Sequence, residues 1–203
     1  MSLLDGAARQ IAGATAMAAG RENWKTSLDR SIDAVFSSFG AFVLSAPFVV
    51  LFTWSAKRAA TRVPDLTGTL YEIAPLELLI VGDLTVYALD WVASLALLLT
   101  IARLTGGAGR AAEIIVGYNW IQPLVAAVQL PPVAIMASTA SAGAGGVAGL
   151  PSFAITIYLI WGIIRRGLGA TAPAATAILV MLIIVGGVIE FFGSAAMRAL
   201  AGP

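Results

Sequence analysis

Apolar residues in this chain neither alternate nor recur as a narrow stripe for most of its length; they run. Five stretches approach or exceed the roughly 17–25 residues that a membrane-crossing helix needs. They lie at about Ala34 to Trp54, Leu78 to Ala102, Ala112 to Ser138, Leu150 to Ile164 and Pro173 to Gly193. The third carries Pro123 and the pair Pro131-Pro132, and it is too short for two crossings, so it reads as one kinked helix. The fourth is the shortest. Between the spans, residues 55–77 are punctuated by Pro64, Gly68 and Pro75, and residues 103–111 form a Gly-rich turn. Residues 139–149 are uncharged, rich in Gly, Ala and Ser, and read as a flexible connection. The expected fold is all-α: a polytopic bundle of five transmembrane helices over residues 31–203, preceded by a segment of residues 1–30 that does not cross.

Composition makes lipid the solvent. Of 203 residues, 59% are hydrophobic and 11% charged, against about 25% charged in a soluble domain; the mean hydropathy is +0.91. The net charge of +1 lacks the basic face of a nucleic-acid partner. Lys and Arg counts set the orientation. With the N-terminus inside, the inner segments hold Arg9, Arg21, Lys25, Arg30, Arg103, Arg110, Arg165 and Arg166, and the outer ones only Lys57, Arg58, Arg62 and Arg198. This favours an inside N-terminus and an outside C-terminus, with Trp24 and Trp54 as interfacial anchors. Residues 1–20 lack the basic start and leucine-rich core of a signal peptide and read as retained. Leu4, Ala8, Ile11 and Ala18 share one helical face, with Thr15 interrupting it, which suits a helix lying on the membrane surface or a loose tail.

There is no Cys and no His. That excludes thiolate or imidazole zinc sites, disulfides, and Ser-His or Cys-His nucleophiles. No phosphate-binding Gly-rich loop is present, no cofactor or metal is expected, and nothing points to an enzyme. The chemistry that remains is polar groups inside apolar spans. Asp83 and Asp90 share a stripe with Tyr87 and Ser94; Asn119, Gln122 and Gln129 share another; Glu190 lies between Gly186 and Gly193. Counted from the midpoints of the expected spans, Asp83 and Glu190 fall at one level, roughly 10 Å from the centre. Burying such groups costs about 2.5–3.5 kcal/mol each, so they face protein or water. Two readings follow: a water-filled or cation-binding cavity lined by Asp83, Asp90, Asn119, Gln122, Gln129 and Glu190, or interhelical hydrogen bonds that fix register. An aspartyl intramembrane protease is disfavoured, because both Asp lie on one helix and Val81-Gly82-Asp83 departs from a Gly-x-Gly-Asp signature. Arg103, Arg110, Arg165 and Arg166 set topology or meet anionic head groups.

One pattern goes beyond composition. Ala96-Leu-Leu-Leu-Thr-Ile-Ala-Arg-Leu-Thr-Gly-Gly-Ala-Gly-Arg110 leads into a helix carrying Gly117-Tyr118 and Pro123, and Tyr158-Leu-Ile-Trp-Gly-Ile-Ile precedes the last span after a short loop. These stretches resemble the Yip-domain integral membrane proteins over about residues 30–193. The resemblance implies a five-span bundle with a cytoplasmic N-terminus and a non-enzymatic role in membrane organisation, or as a subunit that binds a second copy or a membrane-protein partner. It implies no catalytic residues, and the short N-terminal segment departs from the longer region through which eukaryotic members contact small GTPases. The alternative is a small proton- or cation-coupled transporter or channel using the intramembrane carboxylates. High Ala and Gly content points to a bacterial inner membrane. A topology reporter fused after Arg166 is expected to report a cytoplasmic location; activity of an external reporter there overturns the orientation.

Overall fold

Long apolar runs must satisfy every backbone N–H and C=O internally, and the α-helix does so within one segment. The structure, a computed structural model describing residues 3–202, is correspondingly helical. Its helices are α1 (Leu3–Ala19), α2 (Trp24–Ser27), α3 (Ile32–Ser38), α4 (Ala41–Ala60), α5 (Leu70–Ile73), α6 (Leu76–Leu104), α7 (Ala111–Val128), α8 (Leu130–Thr139), α9 (Ala142–Gly167) and α10 (Ala172–Ala201). Grouped across their breaks they give five helical stretches long and apolar enough to cross a membrane: Ile32–Ala60, Leu76–Leu104, Ala108–Thr139, Ala142–Gly167 and Ala172–Ala201. The chain is an integral membrane protein of five apolar helices.

Several boundaries move outward, each for a local reason. The third stretch is broken at Gln129, just ahead of Pro131-Pro132, into α7 and α8. Residues 142–149, expected to be a flexible loop, are instead the first two turns of α9. Ser141 caps them, accepting a hydrogen bond from the Ala144 N–H at 3.2 Å. Gly145 lets α9 lie against α8, since a methyl there would approach Met136 Cβ to 2.7 Å and the Pro132 carbonyl to 3.1 Å. The α8–α9 link is therefore only Ala140 and Ser141, with Ala140 in the left-handed region at φ 52°. The last helix continues past Gly193 to Ala201.

The N-terminal helix does not lie alone. Ala14, Met17 and Ala18 are fully buried, with Ala7 and Ile11 packed alongside, a face rotated from the expected one; Leu4 lies outside the residues whose side chains are described. Thr15 is accommodated by donating its hydroxyl to the Ile11 carbonyl at 2.8 Å. Met17 sits against Gly117 of α7 and Gly167 of α9, and the backbone of Ala18 lies directly on Gly162 of α9. Arg166 Nη1 donates to the Ala18 carbonyl at 2.8 Å, and Arg110 Nη2 donates to the Arg166 carbonyl at 2.6 Å. Glu113 completes this cluster, pairing with Arg30 at 2.7 Å and Arg110 at 3.1 Å. One end of the bundle, the α1 end, is thus tied shut by α1 and three arginines. Trp24, expected at the interface, is buried there; Trp54 is exposed, with Arg58 over its ring.

Gly162→Leu places a side chain where the Ala18 backbone runs. It is expected to cost about 1–3 kcal/mol and to release α1, seen as faster proteolysis of residues 3–30 in mild detergent with the five spans intact.

Candidate functional site

Helices in lipid gain nothing from hydrophobic exclusion of one another, so close approach at small residues decides which helices pair. On α6 and α10 this gives a clear register: Met197 packs on Gly82, Val86 on Gly193, and Asp90 on Gly186, where an added methyl would lie 2.9 Å from Asp90 Oδ1. Between these helices and α4, α7, α8 and α9 lies a cavity of about 860 Å³. Asp83, Asp90 and Glu190 all line it, with Gln129, Tyr71 and Thr69. Its remaining wall is largely apolar, including Phe48, Phe52, Val125 and Met136. A smaller cavity of about 290 Å³ adjoins it, sharing Asp90, Val125, Gln129 and Gly186, and adds Ser94, Tyr118, Gln122 and Thr156. No Lys or Arg is among the described residues that line either space.

The α6–α10 register changes the expected depth of Glu190. Because α10 runs from Ala172 to Ala201, its centre lies near Gly186 and Gly187, and Glu190 is only roughly 5 Å beyond it. Glu190 therefore comes between Asp83 and Asp90 in level, one turn from the Asp90 contact, rather than opposite Asp83. It is exposed, and its Oε1 accepts from Ser194 Oγ at 3.2 Å.

Asp83 is held differently. Thr53 of α4 donates to its Oδ2 at 2.6 Å, and the Tyr71 hydroxyl reaches both oxygens at 3.0 and 3.2 Å. Tyr71 belongs to the connection between α4 and α6, so a segment outside the spans inserts a donor into the bundle. Burial, with Asp83 and Glu190 nearby, pushes the Tyr71 phenol well above its ordinary pKa, so it remains a protonated donor. Lys57 fixes the segment: its Nζ donates to the carbonyls of Tyr71 (3.3 Å), Glu72 (3.2 Å) and Ala74 (2.7 Å), using all three of its donors. Thr53, Lys57 and Tyr71 were not singled out by sequence. Ser38, Ser45 and Thr53 recur at spacings of seven and eight residues, one face of the first span, so Thr53 was legible; Tyr71 and Lys57 carry no periodic signal.

The third-span polar residues separate. Gln122 and Gln129 line the cavities, Gln129 Nε2 donating to Thr156 Oγ1 at 2.9 Å. Asn119 does not line them. It is fully buried, accepting from Trp91 Nε1 and donating to Ser38 Oγ, both at 2.8 Å, and so joins α3, α6 and α7 as a register-fixing bond. Of the four arginines proposed for head groups, Arg110 and Arg166 are committed to protein carbonyls, Arg165 lies over the Trp161 ring at 5.1 Å, and Arg103 is exposed.

No family model matches the sequence, and no curated protein or solved structure is significantly similar to it.

Tyr71→Phe removes the hydroxyl from Asp83 but leaves Thr53 in place. It is expected to cost about 1 kcal/mol and to speed amide exchange within residues 61–75, while exchange in α6 below Asp90 stays unchanged.

Proposed function

We propose that this protein is a small membrane transporter or binding protein for a cation, with the cavity between α4, α6 and α10 as its site. The observation that carries the reading is that three carboxylates from two spans line one cavity to which no basic side chain contributes. Carboxylates in a low-dielectric cavity with neutral donors but no opposite charge are costly, whereas the amide of Asn119 is fully closed off against Trp91 and Ser38. A cation, whether a proton shared among the acids or a larger ion, offsets that cost. Asp90 is the central group because both cavities meet at it. Asp83, held by Thr53 and Tyr71, joins the site to the segment outside the spans. In this reading the protein does no covalent chemistry and sits in a bacterial inner membrane with its N-terminus inside.

The membrane-organising role implied by the Yip-domain resemblance rests on helix patterns and span count. It gives the carboxylates no task, and we rank it second.

In proteoliposomes with an imposed pH gradient or membrane potential, the wild type is expected to move protons or monovalent cations. Asp90→Asn, and the pair Asp83→Asn with Glu190→Gln, should lower that flux by about tenfold or more, the effect of at least about 1.4 kcal/mol lost from an unscreened charge contact. Expression and monodispersity should be retained. Wild-type flux in both variants overturns the transport reading.

A further inference from the structure

The helices around the cavity do not close it on every side. Near their connecting turn, α9 and α10 are in contact, with Trp161 Nε1 donating to Thr176 Oγ1 at 3.2 Å. From there they follow different partners. The first half of α9 lies on α8 through Gly145, and the second half of α10 lies on α6 through Gly186 and Gly193. Between the separated halves, the larger cavity is lined by Gly146 and Gly149 from α9 and by Gly186 and Glu190 from α10. The adjoining cavity is walled by Phe153 of α9 and Ile183 of α10, whose side chains are 59% and 47% exposed. Both belong to stretches apolar enough to cross a membrane, so a gap between them at this level would open to the bilayer.

Size and lining decide what uses it. A volume of about 860 Å³ falls in the range of sites for drug-sized organic molecules, roughly 300–1,000 Å³, and far exceeds what a dehydrated metal ion fills. The walls include the aromatic residues Phe48, Phe52 and Tyr87, a residue type that attracts cations, and a carboxylate at each of three levels. A hydrated inorganic ion cannot arrive through hydrocarbon, whereas an amphiphile with a cationic head can.

We infer that the cavity takes an apolar organic cation, one with a phosphonium- or ammonium-type head and a hydrophobic body, admitted from the bilayer between α9 and α10. The inference rests on the cation reading above and narrows it to a ligand class. Asp90 and Glu190 receive the head, and the apolar wall on α4, α7 and α8 receives the body. Gly149 borders the cavity and is the point chosen to fill it, since an added Cβ there meets no neighbouring atom within 4 Å.

Equilibrium binding of tetraphenylphosphonium to the full-length protein in lipid nanodiscs tests this, with tetraphenylborate, of like shape and opposite charge, as comparison. Wild type is expected to bind the cation and not the anion. Asp90→Asn is expected to weaken binding by about tenfold, Glu190→Gln to weaken it as well, and Gly149→Phe to abolish it while leaving a folded, monodisperse protein. Binding of both probes alike, or binding that ignores Asp90 and Gly149, overturns the inference and leaves only an apolar groove. Absence of phosphonium binding together with acid-dependent flux of protons or inorganic cations also overturns it, while the transport reading stands. Absence of both overturns the two together.

Discussion

The cost of a polar group among acyl chains organises this molecule more than any favourable contact does. Each buried ionisable or amide side chain must find protein or water, and the spans meet the demand in two ways. Asn119 is closed within a three-helix hydrogen bond to Trp91 and Ser38, and the Arg110–Glu113–Arg30 cluster closes charge against charge at the α1 end. The carboxylates of α6 and α10 are answered otherwise: Asp83 receives hydroxyls from Thr53 and Tyr71, and Asp90 and Glu190 line a cavity to which no described Lys or Arg contributes. The protein has the means to satisfy a polar group fully, and at these acids it uses neutral donors and a cavity instead. That contrast within one bundle is the argument for a cationic guest.

The cavity itself follows from how small residues distribute helix partners. With no hydrophobic gain between helices in lipid, pairing goes where backbones come closest. Gly82, Gly186 and Gly193 seat α10 on α6, Gly145 seats α9 on α8, and Gly162 seats α1 on α9. These choices draw the first half of α9 to α8 and the second half of α10 to α6, so the two antiparallel helices separate away from their connecting turn. The opening between them is therefore a product of the same contacts that hold the bundle together, not a packing defect.

Run length and composition made the five spans legible, because the membrane imposes one element type and a minimum length. They failed at residues 142–149, where Gly and Ala look like a linker until α8 supplies a surface that only a helix lacking side chains can approach. The polar stripes were half legible. At 100° per residue, Asp83 and Asp90 differ by only about 20° in direction, and both line the cavity; Asn119 lies some 60–80° from Gln122 and Gln129, enough to turn it toward Trp91. The depth of Glu190 was misjudged because the last span was ended at Gly193, before the helix ended. Tyr71 could not be found from sequence: its role depends on Lys57 folding residues 71–74 back over the bundle, a closure with no periodic trace.

The two ends of the bundle are unlike, and this bears on what kind of device it is. At the α1 end, Met17 and Ala18 fill the glycine seats on α7 and α9, and Arg166 locks the Ala18 backbone. At the other end the cavity reaches Leu66, Thr69 and Tyr71 of the α4–α6 connection, a segment held by Lys57, by the Tyr71 hydroxyl on Asp83 and by the buried Leu70 and Ala74 packed with Leu79 and Met197. A continuous pore would need both ends open, so this conformation is a chamber rather than a channel. Passage of a guest from the chamber to the α1 end would require α1 to leave its seat, which is made of the Ala18 backbone on Gly162, the Arg166 hydrogen bond to Ala18 and the fully buried Met17 against Gly117 and Gly167.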